Sequence, residues 1–399
     1  MITPHGGVLI DKTIPDAELS VWSSDHSAAR IEISDQDLIH LVNLGTGAYS
    51  PLDGFMSRVQ YRSVIAHNKL PQGDVWTIPI LLHVSPETKI ELSGPNQSAL
   101  LVNGKQKPVG RIDISSIFEV DLTEYAEAVF GTLDPQHPGV GALLQRPSTC
   151  VGGQVRLPLG TIPGDRFYRR PAEFRDILEE RAGTTFTAFS TRNIPHIGHE
   201  HQIKTALSSG GPVGINVITG AGLRGSFLPD VIFDVYEQLR SASYEDEALI
   251  LNNLRLPPIF GGPREAILQA IMLQNYGFDR FIVGRDHAGV GTFYYKYASQ
   301  NLFAKLSDLK IKILPLKEPR YCRACNSVSI SERCDKCEKQ TSTINGRDVR
   351  RYLTDDSLDQ LNGIVSPVVQ RALLAKLAAV DGSPTGTGGP NISERLLYP

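Results

Sequence analysis

The sequence predicts an α/β protein: a mostly β N-terminal part, then a doubly wound parallel sheet, then a small C-terminal part organised by cysteines. Three observations carry this. Residues 1–165 hold short β-like runs separated by turn residues. From about Arg170 onward apolar strands alternate with helical segments, the pattern of a parallel sheet. After Ile313 a cysteine cluster interrupts that alternation. The expected divisions are 1–168, 169–317 and 318–399.

With 399 residues the chain can bury a large core in two or three domains. A formal net charge of -3, with no basic stripe, counts against a nucleic-acid-binding surface. No apolar run reaches the roughly 18 residues of a membrane span. Residues 1–20 are broken by His5, Asp11, Lys12 and Asp16, unlike a signal peptide, so the cytoplasm is the expected location. Four of the five cysteines cluster tightly, which points to a metal site in a reducing compartment.

In the N-terminal part, Val8–Ile10, Ile78–Val84 and Ala99–Val102 read as strands. Pro-Glu, Gly94-Pro95-Asn96 and Asn-Gly mark turns between runs. Helices are expected at Asp35–Asn43, Met56–His67 and Leu122–Phe130. A Gly/Pro-rich stretch, Gly152–Gly164, is expected to lead out of this barrel-like domain.

The second part starts with a helix at Pro171–Arg181, Pro171 sitting in its first turn. The β-branched and aromatic run Thr184–Phe189 predicts a buried strand, and Glu200–Leu207 a helix with Ile203 and Leu207 on one face. Further strands are expected at 212–218, 248–251 and 280–283, and helices at 229–242 and 263–276, the last stopped by Gly277. Helices at Asp348–Leu353 and Pro367–Leu377 follow, and the last twenty residues read as flexible.

The turn after the first of these strands, Ser190-Thr191-Arg192-Asn193-Ile194-Pro195-His196-Ile197-Gly198-His199, organises the chain. Ligands of open α/β sheets bind at the carboxyl ends of the strands. Helix N-terminal N–H groups attract anions, and two imidazole donors beside them suit a polyphosphate. The plainer alternative is one capping and one solvated histidine. A second polar loop, Gly284-Arg285-Asp286-His287-Ala288-Gly289, ends a strand of the same sheet. Strand ends lie along one edge, so this loop can face the first across a cleft. A salt-bridged Arg-Asp turn is its structural alternative.

Gly220-Ala221-Gly222-Leu223-Arg224-Gly225 matches a dinucleotide-binding pattern, but Ser226–Pro229 delays the helix that should open inside it. It reads instead as a flexible site loop, with Arg224 in reach of phosphate. Cys322-x2-Cys325-x8-Cys334-x2-Cys337 supplies two knuckles at tetrahedral zinc spacing. Four thiolates leave no open coordination position, so such a zinc would be structural. Cys150 stands apart and is expected to be a buried free thiol.

The His-Ile-Gly-His spelling resembles that of nucleotidyltransferases that split ATP between its α and β phosphates. More closely, the chain resembles the ATP sulfurylase (sulfate adenylyltransferase) family, whose motifs are Q-x-R-N-P-x-H-x-x-H and G-R-D-H-A-G. Further matches are Pro4-His5-Gly6-Gly7, Gly47–Met56, Gly262-Pro263-Arg264-Glu265 and Ile344–Arg350, the last similar to a late I-S-G-T-x-x-R segment. The resemblance spans nearly all of residues 3–380 in order. It implies a PUA-like β domain, a Rossmann-like catalytic domain and a small C-terminal domain. It implies that ATP and sulfate give adenylyl sulfate and pyrophosphate. The catalytic set it implies is Thr191, Arg192, Asn193, His196 and His199. The implied nucleotide contacts are Ser190 to Asn193 and Gly284, Arg285, Asp286 and His287. The acceptor would meet Ser190, Arg192 and Ala288. Mg²⁺ is expected with ATP, and a homodimer or higher homo-oligomer is the expected assembly.

One position departs from the family pattern: the sulfate-contacting Gln is Ser190 here, shorter and with a single donor. The motif proline has also slipped by one, to Pro195. The expected reaction is therefore adenylyl transfer to sulfate, with transfer to another oxyanion such as a phosphonate, sulfonate or carboxylate as the alternative. A zinc-ribbon nucleic-acid module and a family member without catalysis are further readings. The charge argues against the first, and the intact Arg192, Asn193, His196 and His199 against the second.

Overall fold

The computed structural model describes residues 1–24, 28–92, 98–181, 183–220, 222–306, 308–355, 357–381 and 396–398. In chain order the first half contains β1 (Thr13–Ile14), α1 (Asp16–Ser23), β2 (Ala29–Glu32), α2 (Asp35–Gly45), β3 (Gly54–Phe55), α3 (Arg58–His67), β4 (Leu82–His83), α4 (Pro86–Leu92), β5 (Ser98–Val102), β6 (Pro108–Glu119), α5 (Leu122–Phe130), α6 (Pro138–Leu143), β7 (Thr149–Pro158) and α7 (Pro171–Glu179). The second half contains β8 (Thr187–Thr191), α8 (Ile197–Ser208), β9 (Val213–Thr219), α9 (Pro229–Ser243), β10 (Leu249–Arg255), α10 (Pro263–Asn275), β11 (Arg280–Val283), α11 (Ala298–Phe303) and β12 (Lys312–Pro315). It closes with β13 (Arg320–Cys322), β14 (Ser327–Ser329), β15 (Ser342–Thr343), α12 (Gly346–Thr354) and α13 (Pro367–Asp381). The α/β class expected from the alternation is what the chain adopts.

The chain divides into two units that interleave in sequence: Met1–Gly183 with Arg255–Ile313, and Thr184–Leu254 with Leu314–Pro399. In the first unit a β sheet runs β1-β7-β6-β5-β2, and β3 and β4 also pair with β7. Its long antiparallel β6–β7 ladder runs from Arg111↔Arg156 to Glu119↔Thr149, with a bulge between Ile114 and Ser116. Two capping boxes start its helices, Ser34 with Asp37 on α2 and Ser57 with Gln60 on α3. Its core holds Trp76, Tyr49, Tyr61 and Phe55, all fully buried.

Asn275, at the end of α10, is the polar centre of this unit. Its Nδ2 donates to the carbonyls of Ala48 and Ser50, both at 3.0 Å, and its Oδ1 accepts from the His5 amide at 2.9 Å. The matched Pro4–Gly7 and Gly47–Met56 segments thus meet on one buried side chain.

Several expected elements differ. Val8–Ile10 forms no strand. Of the run 78–84, Leu82–His83 form the strand that joins the sheet, and Pro79 has no N–H to offer a ladder. Gly152 and Gly153 do not lead out of the domain; they lie inside β7. A Cβ on Gly152 would strike the Met56 carbonyl, and one on Gly153 the Asp113 carbonyl. These glycines admit close backbone neighbours rather than marking a loop. β12 was not anticipated. The expected Gly94-Pro95-Asn96 turn lies outside the described residues.

In the second unit β8 pairs with β9 in parallel register, Thr187↔Val213 through Thr191↔Val217, with α8 between them in sequence. The strand order is β10-β9-β8. A small sheet, β14-β13-β15, carries the cysteine region, and α13 packs on α9. The expected flexible tail falls largely on residues 382–395, outside the described set. Leu396–Tyr398, however, are docked: the Gly225 amide donates to Tyr398 O (2.9 Å), Tyr398 N to Ser226 O (2.8 Å) and Leu228 N to Leu396 O (2.9 Å). Leu396 and Leu397 are buried, and the backbone of Gly222 lies against the Tyr398 ring. Among the described residues no helix is long and apolar enough to cross a membrane.

Replacing Asn275 by Leu leaves two buried carbonyls and one buried amide without partners. At about 1–3 kcal/mol for each orphaned group, a loss of about 3 kcal/mol or more is expected in urea unfolding of the variant.

Candidate functional site

Ser190 and Thr191 are the last two residues of β8, so the strand runs further into the turn than its composition indicated. Thr191 builds the turn: the Asn193 amide donates to its Oγ1 at 3.0 Å, and that hydroxyl donates to Asn193 O at 3.2 Å. Arg192 is half-buried. The Ser190 Oγ is buried and has no hydrogen-bond partner among the described residues.

His196 is the N-cap of α8 rather than a residue within it. Its backbone is extended, and its Nδ1 accepts from the His199 amide at 3.2 Å. An acceptor Nδ1 places the ring proton of neutral His196 on Nε2. The His196 and His199 rings stack at a centroid distance of 3.7 Å, and Phe189 meets His199 edge-on at 5.2 Å. Gly198 keeps this arrangement open, since a Cβ there would come within 3.0 Å of His196 Nδ1. Burial pushes the His196 pKa well down, and its neighbour His199 pushes it further. Burial also holds His199 down, to about 4. Both imidazoles are therefore neutral near pH 7, and the buried His199 Nδ1 has no partner among the described residues.

A residue set that sequence reasoning left out of the site completes this turn. The start of α12 lies on Asn193, and Arg350 Nη1 donates to Asn193 Oδ1. Asn345 caps α12 by accepting from the Asp348 amide at 2.9 Å. An Asn with Asp three residues on does announce a helix start. Nothing in that pattern says what the helix faces.

The loop Gly284–Gly291 belongs to the other unit. His287 is held by Gln269, Nε2 to Oε1 at 2.8 Å, and stands edge-on to Phe281 at 4.9 Å. Burial keeps its pKa down at about 4. The Tyr297 amide donates to Arg285 O at 2.6 Å, and Ser299 Oγ to His287 O at 2.8 Å. Ala288 takes a left-handed φ of 57°. Asp286 folds back over Gly289, where a Cβ would collide with its carboxylate. The Arg285–Asp286 pair is loose, at 3.7 Å. The glycine-rich 220–225 motif opens no helix; α9 begins only at Pro229, and Arg224 is exposed. The dinucleotide reading therefore lacks its structural context, and Ala221 lies outside the described residues.

The ligand atoms of Cys322, Cys325, Cys334 and Cys337 lie within 4.8 Å of one another, with no disulfide. Four sulfurs about 2.3 Å from a tetrahedral zinc stand about 3.8 Å apart. Cys322–Cys337 at 3.5 Å and Cys325–Cys334 at 3.9 Å match that spacing. Each knuckle ends in a left-handed residue, Asn326 (φ 47°) and Glu338 (φ 56°). The backbone N–H of Lys336 lowers the Cys334 pKa to about 7. Cys150 is buried and far from reactive, its thiol pushed up to about 12 by burial.

A family profile for ATP-sulfurylase matches residues 165–373, and one for a PUA-like domain matches residues 2–158. A sulfate adenylyltransferase of Pyrococcus abyssi is 36% identical over 354 residues, covering 88% of this chain and 92% of that protein. The chain belongs to the ATP-sulfurylase family. Another relative with the same name, from Deinococcus deserti, is 36% identical over 357 residues and is covered to 90%. In fold, the ATP-sulfurylase chain is similar to a solved hexameric APS kinase from Thiobacillus denitrificans. The TM-score is 0.70 at 19% identity, covering 94% of this chain and 68% of that one.

His199 and His287, each near 4 when folded, titrate near 6.5 when unfolded. Between those values the unfolded chain binds more protons. Their contribution to stability is therefore full above about pH 6.5 and is lost as pH falls towards 4. Thermal melts from pH 7.5 to 4.5 should show a falling Tm, with a shallower fall in His287→Gln.

Proposed function

We propose that the chain transfers the adenylyl group of ATP to sulfate, releasing pyrophosphate. A sulfate oxygen attacks the α-phosphorus, the bond to the bridging α–β oxygen breaks, and pyrophosphate takes the electron pair. Sulfate has no proton to remove, so the reaction needs no general base. It needs alignment, and donors where charge develops. The His196/His199 stack carries the reading: two neutral imidazoles at a helix N-terminus, one with its Nε2–H fixed by the cap. A neutral donor can meet the charge developing on the bridging oxygen without titrating first. In this scheme Arg192 holds sulfate. Thr191 and Asn193 contact the phosphates, Thr191 also shaping the turn. Gly284 to His287 hold the nucleoside side. Mg²⁺ bound to the phosphates would neutralise charge on them.

The functional divisions follow the proposed 1–168, 169–317 and 318–399, the last holding one structural zinc. The sulfur spacing fits that ion and the fully thiolate set leaves no place for substrate on it. The hexameric neighbour and the family resemblance support an oligomer, and the cytoplasm is the proposed location.

A second acceptor reading is favoured by one observation, the partnerless buried Ser190 hydroxyl where the family has an amide. An ATP–pyrophosphate assay across sulfate, selenate, phosphate, phosphonates, sulfonates and carboxylates tests both. With sulfate as acceptor, Ser190→Gln should raise kcat/KM for sulfate several-fold, as one buried polar contact is worth about 1–3 kcal/mol. A pocket rebuilt for a larger oxyanion would instead lose its native activity in that variant while still binding ATP. Equal kcat/KM in both proteins would remove Ser190 from the acceptor pocket. Separately, anaerobically purified protein should contain about one zinc per chain, with four sulfurs at about 2.3 Å in X-ray absorption. Metal-free folded protein would refute this.

A further inference from the structure

The first turn of α12 presses on Asn193. A Cβ added to Gly346 would stand 2.9 Å from Asn193 Cγ, so the missing side chain lets the helix backbone lie against the carboxamide. Arg350, one turn further along and on the same face, donates its Nη1–H to Asn193 Oδ1. That is the one hydrogen bond or ion pair Arg350 makes among the described residues. The guanidinium is half-buried and makes no ion pair among the described residues, and Arg347 adds a like charge nearby. A cation in such a place is costly unless an anion comes to it.

A carboxamide has two unlike ends, an acceptor oxygen and a donor NH₂. Towards a polyphosphate only the donor end is useful, since the oxygen would meet negative charge. Guanidinium is donor-only, so it can pair with the oxygen alone. Resting on the proposed reading of the turn, we infer that Arg350 is a positioning residue for adenylyl transfer: it occupies the Asn193 Oδ1 and thereby leaves that side chain only N–H groups to offer the phosphates of ATP. Gly346 is the second half of the device, because any side chain there would push the amide off Arg350. The segment 344–350 is in this way part of the transferase site, although it lies far from the turn in sequence.

A double-mutant cycle tests this, with kcat and KM for ATP measured in the pyrophosphate-release direction. Asn193→Ala and Arg350→Met should each lower kcat/KM by about ten- to a hundredfold. Adding Arg350→Met to Asn193→Ala should cost less than about threefold more, because the amide to be oriented is gone. Arg350→Lys keeps a donor-only cation and should recover most of the loss, which a purely structural defect would not explain. Asn193→Asp should keep or raise Tm, since Arg350 gains a carboxylate partner, yet be as inactive as Asn193→Ala. Additive losses in the cycle would overturn the inference, as would Arg350→Met with normal kinetics, and both would leave the role of the turn intact. Normal activity in Asn193→Ala would overturn the reading of the turn itself and the inference with it. Should Arg350→Met not fold, Arg350→Lys and Arg350→Gln carry the cycle: Lys near wild type and Gln impaired supports it, and equal impairment overturns it.

Discussion

The bond from the His199 amide to His196 Nδ1 sets the rest of the turn. It satisfies one of the free N–H groups at the start of α8, which is a stability term in its own right. It also fixes the tautomer of His196 and the plane of its ring. The ring can then stack on His199, which Phe189 steadies from the strand side. Two stacked, buried imidazoles cannot both carry charge, so the pair stays neutral. One local bond thus joins helix capping, ring geometry and protonation state. Gly198 belongs to the same constraint, because a side chain there would crowd the capping nitrogen.

The alternation of strand and helix from α7 to β11 was legible in the sequence because each strand is a buried apolar run and each helix is marked by proline, glycine or a polar cap. The turn of the candidate site was legible for the same reason: its polar residues close β8 and continue directly past it. The N-terminal part was harder to read. Gly152 and Gly153 look like loop residues, yet they are strand positions where another backbone approaches too closely for a Cβ. The run 78–84 has strand composition, but its interior is buried mostly without ladder pairing. Arg350 stood out in the sequence only as the end of the Ile344–Arg350 match, and its contact with the turn was not legible for a different reason. Its partner Asn193 is distant in sequence, and no local pattern encodes a contact between a turn and a helix start.

The segments that resemble the family divide into two physical kinds. One, Ile344–Arg350, packs on Asn193 of the histidine turn. Others, such as Pro4–Gly7 and Gly47–Met56, meet on Asn275 and hold the first unit together. Gly262 is of this second kind, packed on the Tyr294 ring at a left-handed φ of 52°. Arg264 likewise spends its Nε–H on the Ala128 carbonyl at 2.6 Å. A recurring motif therefore need not touch a ligand; it can equally mark backbone that tolerates no other side chain.

The pairing of Leu396–Tyr398 with the loop around Gly225 has a temporal consequence. During synthesis the strand β9 and helix α9 that flank this loop are complete long before residue 398 is added. The loop's backbone groups at Gly225, Ser226 and Leu228 have no such partners until then. The segment bearing Arg224 is consequently among the last parts of the second unit to reach its final conformation. A chain halted short of residue 396 would carry the histidine turn and the cysteine cluster but leave this loop unpaired.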